Sequence, residues 1–176
     1  MARALQAEGV EGRNRVQLQL LENEQYEAVA ALARLRARAD VDVRRIGVVG
    51  HSFGGSLSVL MAAQEQGIRA AVIFGGAAGS WAQSPALRER LLAAVRRVSA
   101  SALFIHAKND YSTAPGPALA AEMHHYGKSS AVKIYAPFGL DAQAGHNLIF
   151  RSVPTWELDV FEFPTCICDA KRFCPA

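Results

Sequence analysis

An apolar run, Ile46-Gly47-Val48-Val49, leads without a break into Gly50-His51-Ser52-Phe53-Gly54-Gly55. The run is short, β-branched and free of charge, which reads as a buried strand. The glycines that follow permit a turn too tight for other residues, and the small apolar residues beyond them read as a helix. Glycines two before and two after the serine let the backbone reverse sharply and push the hydroxyl out at the end of the sheet. A serine hydroxyl is a weak nucleophile that needs exposure, a nearby base, and donors for the charge that develops on a substrate oxygen. The turn supplies the exposure. A glycine-rich turn with a capping serine is the plainer alternative, but glycines, serine and strand all fall in register, which favours the nucleophile.

Such a serine requires an acid and a base, and both should come from loops at the carboxyl ends of later strands. The apolar run Ala102-Leu103-Phe104-Ile105 ends in His106-Ala107-Lys108-Asn109-Asp110, which places Asp110 in the loop after a strand. Ala131-Val132-Lys133-Ile134-Tyr135 reads as another strand, followed by Pro137, Gly139 and Ala144-Gly145-His146-Asn147. His146 then sits at the same sheet edge as Ser52 and Asp110, where open α/β sheets place their chemistry. Asp also favours strand-end turns for local reasons, so the constellation argues more strongly than any one member. Of the other histidines, His106 reads as a hydrogen-bonded core residue. His124 and His125 sit at a helix C-terminus, where their charge is favourable, and His51 is expected to pack below the turn.

The remaining elements alternate. Ser52 to Gln66 reads as the helix after the turn, with Leu57, Leu60 and Met61 inward and Gly67 as its stop. Ala70 to Phe74 is a strand, a loop runs from Gly75 to Trp81, and helices are expected near Pro85 to Val98 and Pro117 to Tyr126. Trp156 to Phe163 reads as a closing helix that Pro164 ends. Ahead of the serine strand, Leu18, Leu21, Tyr26, Val29, Leu32 and Leu35 fall within one broad helical face, so this segment is expected to pack on a sheet. The pattern predicts an α/β fold with a mostly parallel sheet flanked by helices.

These residues together resemble the α/β-hydrolase superfamily and, within it, the dienelactone hydrolase family. The resemblance covers approximately Leu21 to Val160. It rests on Asp42 to Gly55, on Phe104-Ile105-His106-Ala107-Lys108-Asn109-Asp110, and on Gly145-His146-Asn147. It implies Ser52 as nucleophile, Asp110 as the acid that orients the base, His146 as the base, and the Phe53 N–H as one donor of the oxyanion hole. Dienelactone hydrolases proper carry cysteine at the turn. Serine here is more similar to esterase and peptidase members.

The resemblance also implies strands ahead of those seen here, so the chain reads as the second half of the fold. Residues 1–15 form a polar N-terminal segment, 16–163 a truncated hydrolase domain and 164–176 a cysteine-containing tail. Two consequences are expected. The second oxyanion donor, which the family draws from its early half, has no candidate, and one such donor is worth roughly 10²–10³ in rate. The edge of the strand Ile46 to Val49 is apolar and unpaired, so it recruits another chain, such as a second copy in a homodimer.

Composition narrows the partners. The chain has 176 residues, half of them hydrophobic and a fifth charged, which suits one globular domain. No run reaches the roughly 18 apolar residues of a membrane span, and Met1-Ala2-Arg3-Ala4 opens no secretory signal. A cytoplasmic location is therefore expected. A net charge of +3 spread over helical arginines argues against a nucleic-acid partner. Cys166, Cys168 and Cys174 lack the paired spacing of a zinc site, and an odd count forms no closed disulfide framework, so no metal is expected there, and a serine triad requires no cofactor. Trp81 and Tyr111 stand on loops at the presumed pocket as candidate substrate contacts, Trp81 being equally readable as a buried anchor. The leading expectation is a serine hydrolase of carboxylic esters or related acyl compounds. The alternative is a catalytically silent half-domain or truncated fragment that acts, if at all, as an interaction module.

Overall fold

The computed structural model describes residues 9–168. Helix α1 (Gly9–Arg36) leads to strand β1 (Ile46–His51), followed by α2 (Phe53–Gln64), β2 (Ile68–Phe74), α3 (Pro85–Val95), β3 (Ser101–Ala107), α4 (Pro115–His125) and β4 (Ser130–Tyr135). Short helices α5 (Ala142–His146) and α6 (Leu148–Arg151) precede α7 (Val153–Cys168). The four strands form one parallel sheet in the order β1-β2-β3-β4. Successive strands step in one direction across the sheet, so right-handed crossovers carry α2, α3 and α4 to a single face.

Strand alternation divides the interior in two. Ala71, Ile73, Ala102 and Phe104 join Leu60, Leu91, Leu119 and Met123 beneath the crossover helices. Val72, Phe74, Leu103 and Ile105 point the other way, toward Leu148 and Val160. Both faces of β2 and β3 are thus covered, which is why these strands read as continuous apolar runs. On the second face Trp156 of α7 meets Phe74 edge-on at 5.1 Å. Asp159 ties α7 to β4 by accepting from the Tyr135 hydroxyl at 2.5 Å and pairing with Lys133 at 3.1 Å.

Three expectations need correction. Helix α1, which starts at Gly9, rests on α2 more than on the sheet. Leu21 and Leu32 are buried, but Tyr26 is exposed, because five residues of helix turn it about 140° from Leu21. Helix α7 continues through Pro164 to Cys168. Proline removes one hydrogen bond, yet its fixed φ is helical. Cys174 and the side chains of Cys166 and Cys168 lie outside the described residues.

Strand β1 is a sheet edge, with Val49 58% exposed on the face that α7 leaves uncovered. Beside it an apolar groove of about 460 Å³ runs between α1 and α2, lined by Leu32, Leu35, Ile46, Val48, Leu57 and Met61. No helix among the described residues is long and apolar enough to cross a membrane.

Candidate active site

Ser52 sits at the junction of β1 and α2 with φ 55° and ψ −114°, a conformation that L-residues adopt only under constraint. The constraints are visible. Its N–H donates to Phe74 O at 2.8 Å, its carbonyl accepts from Ser56 N at 3.1 Å, and Phe53 begins the helix. Gly50 is obligatory, since a Cβ there would stand 2.1 Å from the carbonyl oxygen of Gly54. Because Phe53 is the first residue of α2, its N–H has no partner within the helix and carries the positive end of the helix dipole.

Asp110 lies just past β3, with its side chain almost wholly buried. Its Oδ1 accepts from His146 Nδ1 at 2.7 Å and from the Tyr111 N–H at 2.7 Å. Its Oδ2 accepts from His106 Nδ1 at 2.9 Å. Burial alone would raise this carboxyl, but the hydrogen bonds from His106 and His146 outweigh it and hold the group down at about 2. An ionised carboxylate only accepts, so both imidazoles donate from Nδ1, which leaves Nε2 of a neutral His146 free to take a proton.

His146 ends the short helix α5, and that helix is fixed from two sides. Asp141 caps it by accepting from Ala144 N at 2.7 Å, and the Asn109 amide donates to the carbonyls of Phe138 and Asp141 at 2.9 and 2.8 Å. His51 donates from Nε2 to the His146 carbonyl at 2.8 Å, with ring centroids 4.6 Å apart. Burial pushes the His51 imidazole below its ordinary value. His51, expected from the sequence to pack below the turn, thus packs against His146.

Ser52, Phe53, Tyr111 and His146 line one cleft of about 120 Å³, together with Gln17 and the loop from Ala77 to Ser80. The hydroxyl of Tyr111 donates to Gln143, and its ring lies 5.1 Å from that of His146. Trp81 does not line this cleft. It is buried in the main core, with its carbonyl accepting from Arg88 at 2.8 Å, so it anchors the loop whose residues 77–80 form the wall. Sequence reasoning missed Gln17 and Asn109. No local pattern marks Gln17, which lies on α1 where Asn14 donates to the Gln83 carbonyl at 2.6 Å and Arg90 donates to the Leu18 carbonyl at 3.2 Å. Among the described residues no group of three or more His, Cys, Asp or Glu side chains is arranged to hold a metal ion.

No curated protein matches the chain. Among solved structures it is similar to the acylaminoacyl peptidase of Pyrococcus horikoshii, at 17% identity and a TM-score of 0.59 over 82% of this chain and 27% of that one. It is also similar to a dienelactone hydrolase-like promiscuous phosphotriesterase from metagenomic libraries, at 18% identity and a TM-score of 0.59 over 81% and 61%. A third is the 2,6-dihydroxy-pseudo-oxynicotine hydrolase, at 18% identity and a TM-score of 0.58 over 86% and 48%. At these identities the likeness establishes the α/β-hydrolase fold. The chain spans about a quarter of the length of the peptidase. The sequence profile of the dienelactone hydrolase family matches residues 7–146. The chain belongs to the dienelactone hydrolase family.

Proposed function

We propose that the chain is a serine hydrolase of carboxylic esters or related acyl compounds. One observation carries the reading: Asp110 holds Nδ1 of His146 at 2.7 Å while His146 and Ser52 line the same cleft. In the proposed cycle Nε2 of His146 takes the proton of Ser52 as its Oγ attacks the acyl carbon. His146 then protonates the leaving group, and an acyl-enzyme remains. Water that gives its proton to His146 attacks the ester carbon, the bond to Ser52 Oγ breaks as that oxygen takes the proton from His146, and the carboxylic acid leaves. Asp110 stays ionised and stabilises the imidazolium. The Phe53 N–H is one donor to the oxyanion, and Tyr111 and Gln17 contact the substrate. The cycle needs no cofactor, and a cytoplasmic setting with no nucleic-acid partner accompanies the reading.

Incubation with a fluorophosphonate probe and with a small activated ester, alongside Ser52→Ala, tests the proposal. Labelling and turnover that vanish in the variant support it. A folded chain in which neither reaction depends on Ser52 overturns it.

A second reading is favoured by the exposed edge of β1 and the apolar groove beside it. The chain then acts as an interaction module whose β1 pairs with a further strand, in the simplest case that of a second copy. Sedimentation of the purified chain as a dimer that Val49→Lys dissociates supports this reading. A monomer at all concentrations refutes the homodimer.

A further inference from the structure

The serine-hydrolase reading uses one oxygen of Asp110 and leaves His106 without a role. We propose that His106 is a positioning residue of the site, whose buried imidazole holds Oδ2 of Asp110 so that Oδ1 stays aimed at His146. The inference rests on the reading above and adds a fourth member to the constellation.

His106 and Asp110 flank the end of β3, and both side chains are 1% exposed. The bond between His106 Nδ1 and Asp110 Oδ2 is 2.9 Å long. A carboxylate held at one oxygen by His146 and a main-chain N–H remains free to rotate about its Cβ–Cγ bond. A third donor on the opposite oxygen removes that freedom. The imidazole is itself seated closely: a Cβ at Gly116, where α4 begins, would lie 3.1 Å from its Cδ2 and Nε2. The titratable groups packed on the carboxylate are His106 from β3 and His146 from α5. His51 from β1 and Tyr111 stand against His146 in turn.

A second effect follows from charge. Without the His106 donor, the buried carboxylate is less stabilised as an anion, so it protonates at higher pH. Its surviving charge would also fall more heavily on the bond to His146. The first change appears in the titration of Asp110 itself, and the second favours the imidazolium and moves the acid-side loss of activity toward higher pH. A ring that merely fills space would leave that profile where it is.

The test uses the full chain and two substitutions. His106→Leu removes the donor. His106→Asn keeps one, because an Asn amide nitrogen lies close to where the imidazole Nδ1 sits. Fluorophosphonate labelling of Ser52 is followed against pH, and the Asp110 carboxyl is titrated by carbon NMR. For His106→Leu the expected result is labelling slower by about ten- to hundredfold, the scale of one hydrogen bond to a charged group. Its acid limb moves up in pH, and Asp110 titrates above the value of about 2 held in the parent. His106→Asn restores both. The inference is overturned if folded His106→Leu keeps the parental pH profile, or if His106→Asn is as impaired as His106→Leu.

Two readouts stand apart from catalysis. If the parent chain is not labelled at all, the hydrolase reading fails, and the Asp110 titration still decides whether His106 governs the carboxylate. If His106→Leu does not fold, nitrogen NMR of the parent decides. Protonation of His106 at Nδ1, with coupling to Asp110, supports the inference, and an unprotonated Nδ1 overturns it.

Discussion

Asn109 and Phe138 exchange two hydrogen bonds, the Asn109 amide donating to the Phe138 carbonyl at 2.9 Å and the Phe138 N–H donating back to Oδ1 at 2.9 Å. The pair joins the loop that carries Asp110 to the loop that leads into α5. Asp110 and His146 therefore keep their spacing because their neighbours are bonded, and not only through their own contact.

Asn109→Ala removes both bonds, along with the one to the Asp141 carbonyl. We expect a stability loss of about 1–3 kcal/mol, the range for backbone groups left unpaired. The rate of Ser52 labelling should fall with it, since His146 loses its external brace. Urea unfolding and probe kinetics on the same samples check this. Unchanged labelling would show that the bond from Asp110 to His146 suffices alone.

Asp110 also predicts an acid dependence of stability. Its folded value of about 2 lies below the ordinary 3.8, so folding favours the ionised form. The resulting stabilisation is present above the unfolded value and is lost as pH falls through about 2. The gap corresponds to about 2 kcal/mol. Asp110→Asn, which lacks the titrating group, should lose about 2 kcal/mol less than the parent between neutral pH and the acid end. Denaturant curves that run parallel for the two proteins across that range would refute the assignment.

Backbone strain at Ser52 gives a prediction of opposite sign. A non-glycine residue at φ 55° and ψ −114° costs about 1–3 kcal/mol, which glycine avoids. Glycine gives back about 0.5–1 kcal/mol through its freer unfolded chain. Ser52→Gly should therefore be more stable than the parent by about 1 kcal/mol while losing all Ser52-dependent labelling. A less stable variant in urea would show that the hydroxyl contributes more to folding than the strain removes.

Ser52, Asp110 and His146 could be placed along the chain because each lies past an apolar run that reads as a strand, although only the run of β3 is buried throughout. The parallel order was legible because helices separate those runs. What escaped depends on distant contacts. The Gln17 side of the cleft depends on the distant bonds that hold α1, from Asn14 to Gln83 and from Arg90 to Leu18, and Trp81 belongs to the core because Leu87 and Leu91 close over the same interior. His106 was readable as a core residue, but only folding reveals that its partner is the carboxylate four residues on. The end of α7 was misplaced because proline was weighed as a stop, whereas its ring is compatible with a helix that gives up one bond.

The glycines of the turn look equivalent in sequence and differ in structure. A Cβ on Gly50 would lie 2.1 Å from the Gly54 carbonyl oxygen and 2.4 Å from Ser58 Oγ, a clash with backbone that no side-chain rotation relieves. A Cβ on Gly54 meets nothing within 4 Å, and this residue lies inside α2. Gly50→Ala must push the start of α2 away from β1, displacing Ser52 from the cleft. It is expected to unfold the chain or to abolish labelling. Gly54→Ala adds a better helix former in open space and should raise stability by about 0.5–1 kcal/mol, with Ser52 still reactive. Thermal unfolding and probe labelling of the two variants separate the cases. If both substitutions proved equally damaging, the space beside Gly54 would have to be filled in solution, and the groove next to β1 would be the place to look for what fills it.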